Sequence, residues 1–353
     1  MKKTRIAVVM GGRTAEHEIS LASGAMVCAN LDRRRYLVKP VVISRDGRWR
    51  APRGYPAAAP RAAAGLRYGA AGDAITRLVR DRVDCVFIAM HGPYGEDGTI
   101  QGLLEMLDIP YTGSDVCASA LAMDKIKAKE IYRAHGIPTP AFCVIEARDW
   151  RTRRVEIVRG VGRRVGFPCF LKPARLGSSV GVRRCRSADE FARRASSSFR
   201  YGDRLLAEKL VDGIELTCAV LDTPGGRPPI ALPPTEIFPR DRAYFDYSAK
   251  YTPGMSVEIT PARIGAAMTA RVQRLALRAH AALGCSGMSR TDMIVRGRTP
   301  AVLETNTIPG MTRTSLLPQA ARAAGLDFPR LLDRVIAVAI EGHRRRRRHA
   351  RAR

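Results

Sequence analysis

Hydrophobic and polar residues follow two kinds of pattern along the chain, and the first third of the sequence contains both. Short apolar runs bounded by turn residues predict strands, and longer amphipathic segments predict helices. The predicted elements are strands at 5–10, 36–43 and 84–90 and helices at 18–31, 74–80 and 99–107. Strands that alternate with helices form a parallel sheet covered by helices. The stretch 50–72, rich in Ala, Pro, Gly and Arg, interrupts this order and predicts a surface loop.

The rest of the chain predicts two further groups of elements. A long helix should end before Gly136-Ile137-Pro138, which is a strong stop signal. The predicted helices are 114–135, 188–195, 261–283, 315–323 and 328–340, and the predicted strands are 168–172, 181–185, 204–208, 215–221 and 230–237. The sequence therefore predicts an α/β protein, with α+β character after the first sheet, built in three domains.

A predicted hairpin late in the chain places two carboxylates face to face. Its strands are predicted at 289–295 and 301–306, joined by a loop of five residues. Because strand side chains alternate, Asp292 lies opposite Glu304 in the simplest register, and Arg290 lies opposite Asn306. Two carboxylates and an amide oxygen suit Mg²⁺ that also holds phosphates. The hairpin alone is equally typical of a solvated charged face, so other segments must decide.

The segment KPARLGSSVG, at 172–181, ends an apolar strand with a lysine and continues into a Gly/Ser loop. Successive backbone N–H groups, two hydroxyls and an ammonium can hold phosphate oxygens. The segment lacks the Gly-Lys-Ser/Thr ending of a P-loop, and by itself a simple turn is the plainer explanation. Its position after Lys172 and before the carboxylate pair favours phosphate binding.

Three other polar loops are candidates for a site. GGRTAEHEISLASG (11–24) and HGPYGEDGTIQG (91–102) follow predicted strands, at the edge where open α/β sheets bind ligands. Glu96 and Asp97 precede a helix and are explained as N-terminal caps, which leaves His91 unexplained. The segment FDYSAKYTPGMS (245–256) is typical of a lid.

Composition limits the class of protein. At 353 residues the chain is long enough for two or three domains. Its apolar runs fall short of the roughly 20 residues of a membrane helix, and the run after the first basic residues is too short for a signal peptide. Eight cysteines without a CxxC pair predict free thiols. We expect a cytoplasmic protein with no membrane partner.

The formal charge of +27 raises the alternative of a protein that binds nucleic acid or another polyanion. The run HRRRRRHARAR at 343–353 carries seven of the 51 arginines and predicts a disordered tail with non-specific polyanion contacts at most. Lysine is rare, with nine residues. Lys125, Lys172, Lys209 and Lys250 are therefore candidates for positions that need a compact ammonium.

Six motifs, taken in order, resemble the D-alanyl-D-alanine ligases of the ATP-grasp superfamily. They are GGRTAEHEIS, HGPYGEDGTIQG, YTGSDVCASALAMDK, KPARLGSSVG, FDYSAKY and ETNTIPGM. The resemblance implies an N-terminal pre-ATP-grasp domain at 1–123, a small central ATP-grasp domain at 124–207 and a C-terminal catalytic domain at 208–342. Thr291 and Thr305 depart from the family, which usually has aliphatic residues there, and both should point away from the metal face.

The resemblance implies specific roles for residues of this chain. The implied ligands of two Mg²⁺ ions, which Mn²⁺ could replace, are Asp292, Glu304 and Asn306. The implied ATP contacts are Lys125, Lys172 and Lys250 at the phosphates, Glu208, Lys209 and Leu210 at the adenine, and Glu215 at the ribose. The implied substrate and catalytic residues are Glu16, Ser178 and Tyr251 in a hydrogen-bonded triad, His91 at the first D-alanine, Arg290 and Gly310 at the oxyanion, and Ser315 and Leu316 at the second D-alanine.

The resemblance implies an ATP-dependent ligation of two D-alanine molecules through a D-alanyl phosphate, for peptidoglycan precursors, by a homodimer. Tyrosine at position 251 is similar to the form that uses D-alanine, rather than D-lactate, as second substrate. The alternatives are another ATP-grasp carboxylate–amine ligase, for example D-alanine:D-lactate, and, less favoured, a basic polyanion-binding protein.

Overall fold

The computed structural model describes residues 2–56, 67–177, 180–239 and 256–351. The first sheet has the strand order β3-β2-β1-β4, in which β1 is parallel to β2 and β4 and only β3 is antiparallel. Its elements are β1 (Thr4–Gly11), α1 (His17–Asn30), β2 (Tyr36–Ile43), β3 (Trp49–Arg50), α2 (Ala71–Arg80), β4 (Cys85–Ile88) and α3 (Thr99–Met106). The parallel sheet predicted from the alternation is confirmed.

β1 is buried along its second half and delivers the first polar loop to the carboxyl edge of this sheet. Gly11 ends the strand with φ +87°, and a Cβ built on it would lie 2.1 Å from the carbonyl oxygen of Ile43. Only glycine fits so close to β2. Gly11 therefore lets the chain leave β1 close to β2 and continue into the loop that carries Glu16.

The helix predicted at 114–135 is two helices, α4 (Val116–Met123) and α5 (Lys125–Ala134). Asp124 separates them because its backbone is extended and its carboxylate accepts hydrogen bonds from the backbone N–H groups of Ile126 and Lys127. An aspartate that caps a new helix outweighs the continuous apolar pattern. The break places Lys125 at the start of α5.

The second sheet is antiparallel, with the order β5-β8-β6-β7. Its elements are β5 (Phe142–Glu146), α6 (Ala147–Arg164), β6 (Cys169–Pro173), β7 (Arg183–Cys185), α7 (Ala188–Ser198) and β8 (Arg204–Lys209). The predicted domain boundary at 207/208 cuts β8, because the strand continues through Glu208 and Lys209 before it leaves this sheet.

The third sheet has the order β12-β11-β9-β13-β14, with β10 paired to β9. Its elements are β9 (Ile214–Leu221), β10 (Ile230–Ala231), β11 (Thr235–Pro239), β12 (Ser256–Ile259), α8 (Ala266–Ala282), β13 (Met288–Arg296) and β14 (Thr299–Asn306). The strand predicted at 230–237 is two strands, because Pro233 and Pro234 lack the N–H groups that a continuous ladder needs.

The last two helices are α9 (Leu316–Ala323) and α10 (Phe328–Arg351). Their apolar residues, among them Leu317, Leu331 and Val335, join the core of the first sheet. The segment after 342, expected to be disordered, continues α10 as a helix to Arg351. The part of the chain that the structure describes contains no helix long and apolar enough to span a membrane.

Candidate active site

The β13–β14 hairpin has the predicted pairing at its functional end. Asp292 lies opposite Glu304, and Arg290 lies opposite Asn306. The loop is shorter than predicted, because pairing continues to Arg296 opposite Thr299. A register shift after Asp292 compensates for this tight turn and keeps the two carboxylates opposed.

The carboxylates on this face have positive and hydroxyl partners. The Arg290 guanidinium donates from Nε to Asp292 Oδ1 at 2.8 Å and from a terminal nitrogen to Oδ2 at 2.9 Å. The Thr217 hydroxyl, on β9 opposite Asp292, also donates to Oδ1 at 2.8 Å. Lys125 Nζ lies 3.1 Å from Glu304 Oε2. The positive groups that opposed carboxylates require are thus Arg290 and Lys125.

A chain of hydroxyl groups supports the reverse face of the hairpin. The Tyr132 hydroxyl, fully buried on α5, donates to Thr305 Oγ1 at 2.8 Å, and Thr305 Oγ1 lies 3.1 Å from Thr291 Oγ1. Both threonines point away from the carboxylate face, as expected. The two threonines are the sequence neighbours of Asp292 and Glu304, so their hydroxyls link the two strands beside the carboxylate pair, on the opposite face.

Two cavities meet at this face. The larger has a volume of about 430 Å³ and the smaller about 120 Å³, and both are lined by Lys125, Ile237, Asp292 and Glu304. Every predicted site residue in the described part of the chain lines one of them except Leu210. Val211, which lies beyond the end of β8 at Lys209, lines the smaller cavity instead. Ser178, Lys250 and Tyr251 lie outside the described residues.

The smaller cavity contains a buried charge cluster that sequence reasoning did not find in full. Lys172 Nζ and Lys129 Nζ each lie 2.5 Å from one oxygen of the Glu208 carboxylate. Burial would raise the pKa of Glu208, but the charges of Lys129 and Lys172 outweigh it and lower that pKa. Each oxygen of the Glu208 carboxylate contacts one ammonium group. Glu208 therefore orients Lys172. Lys129 was missed because the sequence does not show that it is buried.

Glu16 lies where two loops approach each other in the larger cavity. A Cβ built on Gly92 would lie 2.4 Å from Glu16 Oε2, and one on Gly177 would lie 2.8 Å from the same oxygen. A side chain at either position would displace the Glu16 carboxylate from where it now lies. Glu16 is buried, in a medium that screens charge little, which strengthens any contact between its carboxylate and a ligand ammonium.

His91 is held in one orientation beside Glu16. Its Nδ1 lies 3.2 Å from the carbonyl oxygen of Ile308, which can only accept, so Nδ1 carries the proton. Nε2 then accepts from the Ser23 hydroxyl at 2.9 Å. Burial lowers the pKa of His91, so the ring is neutral at pH 7. The imidazole therefore shapes the cavity wall as a neutral group.

Glu96 differs from the cap that the sequence indicated. Asp97 accepts from the backbone N–H of Thr99 at 3.0 Å, as a residue before a helix does. Glu96 instead turns inward, lines the larger cavity and accepts from the backbone N–H of Gly92 at 2.7 Å. Burial, together with the charge of Glu16, raises the pKa of Glu96 to about 8. Its carboxyl is therefore mostly protonated at pH 7.

The far end of the larger cavity is formed by the loop before α9. A Cβ on Gly310 would lie 2.7 Å from Ser315 Oγ, so a side chain there would displace the Ser315 hydroxyl. The Thr312 backbone N–H donates to Ser315 Oγ at 3.0 Å. α9 begins at Leu316, and the N–H groups of a helix start attract an anionic group such as a carboxylate. This end of the cavity therefore suits a substrate carboxylate.

The donor set at the junction fits Mg²⁺. In the ranges that the structure describes, no group of three or more His, Cys, Asp and Glu side chains could hold a metal. The hairpin offers Asp292 and Glu304 with the Asn306 amide, all hard oxygen donors on one face. A cation with so few protein ligands needs phosphate oxygens and water to complete its shell, which is the usual arrangement for Mg²⁺.

Comparison with known proteins gives the family. Models described as D-ala D-ala ligase N-terminus and C-terminus match residues 5–114 and 131–337. A D-alanine–D-alanine ligase of Syntrophobacter fumaroxidans is 45% identical over 96% of this chain and 99% of its own. The solved ligase from Coxiella burnetii is 32% identical, with a TM-score of 0.83 over 100% of this chain and 98% of its own. The ATP complex of the Bacillus anthracis ligase is 31% identical, with a TM-score of 0.75 over 97% of this chain and 99% of its own. The chain belongs to the D-alanine–D-alanine ligase family and has its ATP-grasp fold.

Proposed function

We propose that this chain joins two D-alanine molecules at the expense of ATP, giving D-alanyl-D-alanine, ADP and phosphate for peptidoglycan precursor synthesis. The observation that carries the proposal is the meeting of two chemically different cavities at Asp292 and Glu304. A lysine-lined cavity suits a nucleotide, and a cavity lined by carboxylates, a neutral histidine and an arginine suits an amino acid. Their junction is where a phosphoryl group can pass from one to the other.

In the first step the carboxylate of one D-alanine attacks the γ-phosphorus of ATP, and ADP leaves. Glu16 binds the ammonium group of this D-alanine, and His91 limits how its carboxylate can turn. Lys125 lies at the junction and Lys172 in the smaller cavity, where their charges offset the negative charge of the phosphates. The product is a D-alanyl phosphate, which is a far better acyl donor than a carboxylate.

Mg²⁺ fits the junction and would be held by Asp292, Glu304 and Asn306. When bound, it would neutralise negative charge on the ATP phosphates. Arg290 and Thr217 orient Asp292, and Lys125 contacts Glu304, so the ligand oxygens are positioned by this chain's own side chains.

In the second step the uncharged amine of another D-alanine attacks the carbonyl carbon of the acyl phosphate, the bond from that carbon to the phosphate oxygen breaks, and the nitrogen loses a proton as phosphate leaves. Arg290 and the backbone N–H of Gly310 stabilise the oxyanion that forms on the carbonyl. Ser315 and the N-terminus of α9 at Leu316 bind the second carboxylate. Water must be excluded throughout, because an acyl phosphate hydrolyses. Ser178 and Tyr251 are assigned to that closure with Glu16, and Lys250 to the phosphates, on sequence alone.

The enzyme is proposed to act as a homodimer in the cytoplasm. All eight cysteines are free, which suits a reducing compartment. Sedimentation at several protein concentrations tests the dimer, and a single species of 38.7 kDa at all of them would exclude it.

The product assay tests the function and the second substrate together. Purified protein is incubated with ATP, Mg²⁺ and D-alanine, with or without an equal concentration of D-lactate, at neutral pH. We expect ADP formation that depends on D-alanine, and D-alanyl-D-alanine as the main product by mass in both mixtures. A predominance of D-alanyl-D-lactate would overturn the assignment of Tyr251, and ATP hydrolysis independent of D-alanine would overturn the function.

A further inference from the structure

Helix α10 changes character along its length. Its first half is apolar on the side that packs against the first sheet, through residues such as Leu332 and Ile336. From His343 to Arg348 every residue is His or Arg, and the five arginines 344–348 are all exposed. None of these residues lines either cavity. The basic end of the helix is therefore separate from the ligase site.

One side of this basic segment is attached to the N-terminal domain. His343 Nε2 lies 3.1 Å from Asp108 Oδ1, and Arg347 Nε lies 3.3 Å from Asp108 Oδ2. The Arg346 guanidinium lies 5.9 Å from the centre of the Tyr111 ring. Residues 343, 346 and 347 are spaced i, i+3 and i+4, so they share one face of the helix.

The other side carries three arginines that face away from those contacts. At about 100° per residue, Arg344, Arg345 and Arg348 lie together on the helix face opposite the attached one. Arg344 and Arg348 are about 6 Å apart along the axis. Like charges at this spacing repel, and they cost a helix a few tenths of a kcal/mol per pair. An anionic partner would relieve that repulsion without disturbing the Asp108 contacts.

We propose that Arg344, Arg345 and Arg348 form a binding surface for the phosphate backbone of duplex nucleic acid, independent of base sequence. A duplex presents about one negative charge per 1.7 Å of axis, and guanidinium groups bind phosphates in two-pronged geometry. An anionic membrane is the poorer partner, because a helix that lies in a membrane needs an apolar face, and residues 343–348 have no apolar side chain.

The test measures the anisotropy of a fluorescent 20-base-pair DNA duplex with the full chain at several salt concentrations. The variant Arg344→Gln/Arg345→Gln/Arg348→Gln should bind at least about tenfold more weakly at 100 mM salt, and the slope of log affinity against log salt should fall by about 2 to 3. The variant with Lys at the same three positions keeps the charge and should retain most of the affinity.

A matched variant separates a local surface from overall charge. Arg151→Gln/Arg159→Gln/Arg163→Gln removes the same charge from exposed positions of α6. We expect it to bind the duplex nearly as the unmodified chain does. Equal losses in both Gln variants, or an α10 Gln variant that keeps its duplex affinity while losing affinity for phosphatidylserine vesicles, would overturn the proposal. D-alanine-dependent ADP formation should be unchanged in all variants, which checks folding and keeps this result independent of the ligase function.

Discussion

The two cavities share Lys125, Ile237, Asp292 and Glu304 but differ in how each handles charge. Beside the smaller cavity, Lys129 and Lys172 each contact one oxygen of the buried Glu208 carboxylate, and Lys125 and Lys209 also line the cavity wall. In the larger cavity, Glu16 and Glu96 lie close enough for the charge of one to help keep the other protonated. Under the proposed function, the junction separates a site for phosphates from a site for an ammonium group.

Removal of the shared carboxylate should have the largest effect, because Glu304 serves both cavities. We expect Glu304→Gln to lower kcat/KM for D-alanine and for ATP together, each on the order of 10³-fold. Mn²⁺ binding in the presence of ADP, followed by electron paramagnetic resonance, should weaken in parallel. Glu130→Gln, at an exposed position on α5, is the control. Normal Mn²⁺ binding by the Glu304 variant would show that the junction does not hold the metal.

Lys172→Met should separate the cavities. The positive charge is lost next to Glu208, so we expect kcat/KM for ATP to fall on the order of 10²-fold and ADP binding to weaken in calorimetry. The KM for D-alanine should change little. Lys127→Met removes an exposed lysine as a control. An equal loss of affinity for D-alanine and for the nucleotide would contradict the assignment of the smaller cavity to ATP and the larger cavity to D-alanine.

Glu96→Gln should change how stability depends on pH. The unfolded chain loses this proton near pH 4.5, whereas the folded protein keeps it until about pH 8, so folding binds a proton between those values. The free energy of unfolding should therefore decrease as pH rises through this window. Gln removes the effect, so between pH 5 and 8 the free energy of unfolding of the variant should rise by about 3 to 4 kcal/mol relative to that of the unmodified protein, as measured by urea unfolding. For the control Glu156→Gln, at an exposed position, the free energy of unfolding should depend on pH as it does in the unmodified protein. The same pH dependence in Glu96→Gln would contradict the burial of the Glu96 carboxyl.

Tyr132→Phe should have the smallest effect, because the hydroxyl acts on the junction from behind. We expect a loss of about 1 kcal/mol in the free energy of unfolding and an increase of about threefold in the Mg²⁺ concentration for half-maximal activity.

Thr217→Val, which removes the direct donor to Asp292, should raise the Mg²⁺ concentration for half-maximal activity about tenfold. Equal Mg²⁺ dependence in both variants and the unmodified protein would show that these hydroxyls only stabilise the fold.

The hairpin shows how far sequence reasoning reaches in this protein. Strand alternation was sufficient to predict Asp292 opposite Glu304, because the two strands carry the pattern themselves. The tight turn and the compensating register shift were not predictable from alternation, since both depend on how β13 pairs with β9 on its other side. The prediction of the contact was right although its assumed loop was wrong.

Residues whose role depends on burial were the ones that sequence reasoning missed. Glu96 has the local sequence pattern of a helix cap. The structure shows instead that it is buried near Glu16, whose carboxylate lies against Gly92. Lys129 and Tyr132 lie on the buried side of α5 and contact residues far along the chain. Asp124 is an exception, because an aspartate ahead of a lysine-rich helical segment is a cap signal that the sequence does contain.

The most direct test of the junction follows oxygen from one cavity to the other. D-Alanine labelled with ¹⁸O in its carboxylate is incubated with ATP, Mg²⁺ and the protein, and the phosphate released is analysed by mass spectrometry. If the carboxylate attacks the γ-phosphorus at the junction, one ¹⁸O atom per turnover should appear in phosphate. Unlabelled phosphate formed together with D-alanyl-D-alanine would contradict phosphoryl transfer between the two cavities.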